Sequence, residues 1–305
     1  MSKQLLISGI LFNSIVIGAS PTFAGSLRFD SYEPGDHQKI FGGSWKSAKI
    51  SAKADMKMAT RADAPLVVYN PGWGGLNKYL PAFEDIQSKL GNTYHHIFLF
   101  HSDDVDLAGR TITIYQAIKA AKSKGIIPTK IFLVGASGGG QEAIHSTHSR
   151  TAAALSDGID IDGVVAFYPS CRVSFDDKTW NKTSVRIFTG GKDKIAPAGL
   201  CKKLKQSGGL NHAELIEYPK AGHSWLMAEN EKTSKQRTWG KCRINIDKSG
   251  VWRGKGIDSR GGIGNFLKGM GKKCRDKINM VVGRNKNAYG ESIASTVDFI
   301  KSINN

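Results

Sequence analysis

The chain has 305 residues, 40% of them hydrophobic, which is enough to bury one large core and suits a single α/β domain with insertions. Beyond the N-terminus no stretch is long and apolar enough to span a bilayer as a helix. The net charge of +17 is carried unevenly and points to an anionic partner rather than a cationic or neutral one.

In chain order, Lys3 is followed by an apolar run from Leu5 to Ala19 and a small-x-small site at Thr22-Phe23-Ala24. Residues 1–24 therefore read as a signal peptide. Their apolar run is too short, and too interrupted by Asn13 and Ser14, for a membrane anchor. The remainder, 25–305, is expected to be soluble and exported, periplasmic or secreted. Gly25 to Ala64 is polar and poorly patterned, with a strand-like alternation only from Lys49 to Met58. Pro65 to Tyr69 reads as a buried strand because a continuous apolar run between turn residues is how a central parallel strand appears. After it come the turn Asn70-Pro71-Gly72-Trp73-Gly74-Gly75, a helix over Tyr79 to Leu90, and a strand over His96 to Phe100. Thr111 to Lys122 has Ile114, Ala117, Ile118 and Ala121 at helical spacing. Further strands are expected at Ile131 to Val134, Gly163 to Tyr168, Val185 to Thr189 and Ala213 to Tyr218, and a closing helix over Ser292 to Ile303. Strands alternating with helices predict a mostly parallel sheet covered on both faces.

Gly135-Ala136-Ser137-Gly138-Gly139 fits G-x-S-x-G, the nucleophile elbow, a sharp strand-to-helix turn that lifts a serine hydroxyl above the sheet. A side chain in place of either outer glycine would strike the neighbouring strand or the start of the helix. Ser137 is thus the candidate nucleophile, the alternative being a serine that merely caps the next helix. A serine hydroxyl needs a base within hydrogen-bond reach, and in this kind of sheet the acid and then the histidine follow the serine in sequence. Only His212 and His223 lie downstream of the region after the elbow helix. His223 leaves the last expected strand at the carboxyl edge, where ligands bind open α/β sheets, and His212 precedes that strand. Asp193 leaves the strand before it and is placed to hold the imidazole, with Asp176 and Asp177 as weaker alternatives. The tetrahedral intermediate needs backbone donors, for which the amides of Gly138 and Trp73 are the candidates.

Cys171, Cys201, Cys242 and Cys274 are potential disulfides in an exported chain. Of their three possible pairings, spacing favours Cys171 with Cys201 and Cys242 with Cys274. No metal or organic cofactor is called for. His145 and His148 stand three apart but lack a third ligand at matching spacing. Asp103, Asp104 and Asp106 follow a strand end, as cleft rim or solvated loop. Residues 226–286 hold 16 Lys and Arg against 5 Asp and Glu, a basic insertion before the last helix. Trp239, Trp252 and Phe266 are interleaved with Lys241, Arg243, Arg253, Lys255, Lys268, Lys272 and Lys273, which suits an anionic, partly apolar envelope surface or, alternatively, a solvated loop. Export argues against nucleic acid as the partner. The oligomeric state is left open.

The chain resembles the dienelactone hydrolase family of α/β-hydrolases through Gly72-Trp73-Gly74-Gly75, the Ser137 elbow, Phe167-Tyr168-Pro169-Ser170-Cys171, Gly190 to Ala198 with Cys201, and Tyr218 to His223. The resemblance covers about Pro65 to Trp225 and the last helix. It implies the α/β-hydrolase fold with an eight-stranded type of sheet, hydrolysis of an ester or lactone, a Ser137, Asp193, His223 triad, and the Cys171–Cys201 pairing. Dienelactone hydrolases proper use a cysteine nucleophile where this chain has Ser137, so the dienelactone substrate is not implied, and the basic insertion is longer than the family needs. The expected function is an exported serine hydrolase working through an acyl-enzyme on a small-molecule ester. Peptidase or polyester-depolymerase activity on the same triad, or a non-catalytic envelope-binding module, are the alternatives.

Overall fold

The apolar runs of the chain become the strands of one eight-stranded sheet in the computed structural model, which describes residues 24–32, 40, 50–100, 107–240 and 242–305. The expected signal peptide, but for Ala24, lies outside the described residues, as do Asp103, Asp104, Asp106 and Lys241. The strands are β1 (Ala24–Tyr32), β2 (Ile50–Lys57), β3 (Leu66–Asn70), β4 (His95–Phe100), β5 (Ile131–Ala136), β6 (Gly163–Phe167), the short β7 (Val173–Phe175), β8 (Ser184–Gly190) and β9 (Glu214–Tyr218). Without β7, they are ordered β1-β2-β4-β3-β5-β6-β8-β9. β1 pairs antiparallel with β2 and β2 antiparallel with β4, and from β4 to β9 every pairing is parallel.

Every residue of β3, β5 and β6 is buried, as a parallel strand covered on both faces must be. The period of two sends Leu66, Val68, Leu133, Val164 and Ile187 into one core cluster and Val67, Tyr69, Phe132, Val165 and Phe188 into the other. The first is covered by α2 (Leu107–Ser123) and α3 (Gly138–His145), the second by α1 (Leu76–Leu90) and, at the far end of the chain, α7 (Lys286–Asn304). α4 (Ser149–Leu155) and α5 (Ala198–Ser207) complete the hydrolase-like part, and α6 (Ile263–Cys274) belongs to the basic insertion. Helix ends depart from the sequence expectation where caps rather than periodicity decide them. The last helix starts at Lys286 because the Asn285 side chain accepts from the Ala288 amide at 3.1 Å, six residues before the apolar spacing becomes readable at Ser292.

The insertion is a folded part of the molecule, which corrects the reading of it as a solvated loop. β10 (Lys232–Thr238) pairs antiparallel with β14 (Asp276–Val282) in a two-stranded ribbon. β11 (Ile244–Ile246), β12 (Trp252–Gly254) and β13 (Ile257–Asp258) join β7 in a second, four-stranded sheet. β11 runs parallel to β7 and thereby fastens the insertion to the hydrolase body. Ile244, Ile246, Trp252, Phe266 and Met270 are buried in the same cluster as β5 and β6, and each such side chain contributes about 1.5–3 kcal/mol.

The structure joins Cys171 to Cys201 and Cys242 to Cys274, with Cα separations of 5.0 and 6.0 Å. Among the described residues no helix is long and apolar enough to cross a membrane. The Cys171–Cys201 bridge closes a loop of 30 residues between the turn after β6 and helix α5, worth about 3–4 kcal/mol by the chain-entropy model. The C171A/C201A double variant is expected to melt well below the parent. Peptide mapping that found Cys171 free, or joined to Cys242 or Cys274, would contradict the pairing.

Candidate active site

The elbow is fixed by backbone packing. Ser137 lies at φ 54° and ψ −118°, a conformation L-residues rarely adopt, between the end of β5 and the first residue of α3. A Cβ on Gly135 would lie 2.3 Å from the Gly139 carbonyl oxygen, and a Cβ on Gly139 would lie 2.1 Å from that of Asn70. One outer glycine therefore clears the start of the helix and the other clears the end of the neighbouring strand. The Ser137 amide donates to the Phe167 carbonyl at 2.8 Å and continues the β5–β6 ladder through the turn. The Ser137 side chain makes no capping bond to α3, so its hydroxyl is left for other partners.

The ends of β8 and β9 supply those partners. Ser137 Oγ is 3.0 Å from His223 Nε2, and His223 Nδ1 is 2.6 Å from Asp193 Oδ2. The other carboxylate oxygen, Asp193 Oδ1, accepts from the amides of Ile195 and Ala196, each at 2.8 Å. Asp193 and His223 are each 4% exposed, so the ion-pairing end of the chain of contacts is dry and its electrostatics are weakly screened. A carboxylate on Nδ1 keeps the proton there and leaves Nε2 as an acceptor facing the serine. Tyr168, held at φ 37°, packs edge-on against the His223 ring at 4.8 Å and against the buried Trp225 at 4.5 Å. Burial raises the Tyr168 phenol well above its ordinary pKa, so it stays neutral beside the imidazole.

The loop after β3 is pressed onto the elbow. A Cβ on Gly72 would lie 2.8 Å from the Ala136 carbonyl oxygen and 2.9 Å from Ser137 Cβ, so only glycine permits this approach. The Trp73 ring stands against Gly138, 3.2 Å from where a Cβ on that residue would be, and is 58% exposed at the mouth of the site. Beneath it lies a buried polar group. Asn70 Nδ2 donates to Glu142 Oε2 at 3.0 Å and to the Gly139 carbonyl at 3.0 Å. Arg110 pairs with Glu142 at 3.9 Å and places its guanidinium 4.8 Å from the Trp73 ring centroid. A buried charge pair of this kind locks α2, α3 and the Trp73 loop together because removing either partner strands the other in a low dielectric.

The remaining sequence candidates lie elsewhere. Asp177 pairs with His148 at 3.1 Å and Arg150 at 3.0 Å, and Asp176 accepts from Asn245, so neither approaches His223. His212 precedes β9 at the opposite edge of the sheet, in a recess shared with Trp180 and Glu214. His145 is buried 2.7 Å from Gln141 Nε2, and burial lowers its pKa to about 3. Among the described residues no group of three or more His, Cys, Asp or Glu is arranged to hold a metal ion. Sequence reasoning did not find Arg110, Glu142, Tyr168 or Arg172. The first two carried a signal only in being charged residues within helices, Tyr168 stood in the Phe167 to Cys171 run without a role of its own, and Arg172 carried no signal.

Residues 101–243 match the model of the dienelactone hydrolase family. Among solved structures the chain is similar to Est1E from Butyrivibrio proteoclasticus, at 15% identity over 60% of this chain and 90% of that one with a TM-score of 0.45. It is also similar to a thermophilic esterase from Thermogutta terrifontis, at 15% identity over 68% and 85% with a TM-score of 0.48. A third likeness is to the Pyrococcus furiosus esterase Pf2001, at 12% identity over 57% and 80% with a TM-score of 0.46. No curated protein matches the sequence. With its parallel sheet and its strand-to-helix elbow the chain has an α/β-hydrolase-like fold, and its residues 101–243 are similar to the dienelactone hydrolase family.

Proposed function

We propose that the protein is a serine hydrolase that cleaves carboxylic esters or lactones through an acyl-enzyme on Ser137. The observation that carries this reading is the continuous contact from Ser137 Oγ through His223 to Asp193 at the carboxyl ends of β5, β9 and β8. Ser137 Oγ attacks the substrate carbonyl carbon while His223 Nε2 takes its proton, and Asp193 stabilises the imidazolium that forms. The negative charge on the carbonyl oxygen is met by the amides of Gly138 and Trp73, which cost no reorganisation because the elbow and the Gly72 contact hold them in place. His223 then returns the proton to the departing alcohol oxygen, and the same base activates water to release the acid and restore Ser137. The two disulfides agree with an exported protein in an oxidising compartment. Peptidase or polyester-depolymerase activity would use the same steps, and a substrate profile separates them.

Labelling with a fluorophosphonate probe is expected at Ser137 alone. Ser137→Ala should fold normally and lose turnover of short p-nitrophenyl esters by about 10³-fold or more; residual activity within about tenfold of the parent contradicts the assignment. Asp193→Asn should lower kcat by about 10³–10⁴-fold through the wrong imidazole tautomer while sparing the fold. A larger loss from Asp176→Asn or Asp177→Asn would place the acid on the wrong strand.

We also propose that the insertion meets an anionic envelope surface, a reading favoured by cations placed side by side. Arg237 stands directly opposite Lys277 in the β10–β14 register, and Lys268 and Lys272 are exposed one turn apart on α6. Like charges so placed repel, and a bound anionic layer relieves them. The protein is expected to sediment with phosphatidylglycerol-containing vesicles at low salt and to be released as ionic strength rises, because exposed charges are screened over about 8 Å at physiological salt. Neutralising Lys268, Lys272 and Lys273 should weaken that binding and leave ester hydrolysis unchanged. If the parent shows no salt-sensitive binding, the surface reading fails.

A further inference from the structure

The insertion reaches the candidate triad from behind. Next to Asp193, the Thr238 hydroxyl at the end of β10 donates to the Lys194 carbonyl at 2.7 Å. At the base, the His223 amide donates to the Val281 carbonyl of β14 at 2.9 Å, and the Gly283 amide donates to the His223 carbonyl at 2.9 Å. A Cβ on Gly222 would lie 2.1 Å from the Val281 carbonyl oxygen, so the two segments meet backbone to backbone. One side chain joins these contacts to the acid. Arg172, just after the bridged Cys171, donates from Nη1 to the carbonyls of Gly240 and Cys242 at 2.9 and 3.1 Å, and from Nη2 to the carbonyl of Ile195. The amide of the same Ile195 is the one that donates to Asp193 Oδ1. The Arg172 amide donates in turn to Gln141 Oε1 on the elbow helix at 3.0 Å.

We propose that Arg172 is a positioning residue, which pins the Ile195 peptide to the insertion and so sets the Asp193 carboxylate, and through it the His223 imidazole, relative to the elbow. The inference rests on the triad reading above. Three carbonyls approached from different directions need the planar fork of a guanidinium, and an ammonium at the same place is a point charge that reaches fewer of them. Burial pulls the Arg172 pKa down to about 10 while Asp193 favours its charged form, so the cation is retained at neutral pH and lies close enough to Asp193 to matter electrostatically. The insertion then has a part in the chemistry as well as in binding: without it the acid and base loops lose their outer partners.

The test compares the parent with Arg172→Lys, Arg172→Met and Thr238→Val, by kcat and KM on a p-nitrophenyl ester, by the pH profile of kcat/KM, and by melting temperature. Labelling of the parent at Ser137 and inactivity of Ser137→Ala are established first; if those fail, the triad reading falls and Arg172 is not at issue. With them in place, Arg172→Lys is expected to stay folded and lose about 10²-fold in kcat with KM little changed, as displaced catalytic groups do. Its acidic limb should stay where the parent's is, because the charge remains. Arg172→Met removes a cation that opposes imidazolium formation, so its acidic limb should move to higher pH. Thr238→Val, which leaves Arg172 in place, should lower kcat in the same direction by less. If Arg172→Met does not fold, the other two variants decide. Parent-like kcat in Arg172→Lys and Thr238→Val, or a loss that appears in KM alone, overturns the proposal.

Discussion

The structure depends on one strained turn. Ser137 is held at a backbone conformation that costs on the order of 1–3 kcal/mol and persists only where the surroundings over-determine it. Here they do so from three sides. The Phe167 carbonyl takes the Ser137 amide, the Asn70 and Pro71 carbonyls crowd Gly139, and the Gly139 carbonyl crowds Gly135. Each contact requires strands β3, β5 and β6 to be adjacent and parallel with their carboxyl ends level. The apolar alternation of those strands, filling both core clusters, is what supplies that alignment. The strain at the serine is thus offset by the sheet as a whole, and the hydroxyl is fixed before any substrate arrives.

A second consequence concerns the histidine and the aspartate, which sit on loops rather than on the turn. Loops are usually the mobile part of a domain. In this protein they are bracketed by elements outside the main sheet: β14 against the His223 backbone, β10 against Lys194, and Arg172 against Ile195. The Cys171–Cys201 bridge runs beside the same loops, and Cys242–Cys274 closes the insertion that supplies the brackets. The elbow is held by packing and the Asp193 and His223 loops by hydrogen bonds to a neighbouring sub-structure, so the two halves of the site have different vulnerabilities.

Much of this was legible in the sequence, for identifiable reasons. Continuous apolar runs at 66–70 and 131–136 can only be buried strands when flanked by turn residues, and glycines two before and two after a serine are a steric statement about a turn. Asp193 and His223 stood out because each follows an expected strand at the carboxyl edge, and His223 lies within hydrogen-bond distance of Ser137 while Asp193 lies within hydrogen-bond distance of His223. Other parts gave no such signal. β1 is half exposed, with only Leu27 fully inward among its described side chains, so its alternation drowned in polar residues. β11, β12 and β13 have two or three residues each, shorter than any periodicity can reveal. Arg172 acts on backbone carbonyls of residues 23 and 68–70 positions away, and a partner that is a carbonyl leaves no mark in sequence at all.

The basic insertion shows why composition and structure can each be right about different faces of one segment. Its surplus of Lys and Arg suggested an anionic partner or a solvated loop, yet Ile244, Ile246, Trp252, Phe266 and Met270 point inward and extend the hydrolase core. Few apolar residues suffice because the four-stranded sheet borrows β7 from the body and shares its burial. Once the inner face is anchored in this way, the outer face is free to carry unbalanced positive charge at a cost the core can absorb. The arrangement separates two demands on the same 226–286 stretch: the apolar face and the backbone ends hold the Asp193 and His223 loops, while the Lys268 and Lys272 face is turned to solvent. Changes in charge on that outer face can therefore be made without disturbing the geometry at Ser137.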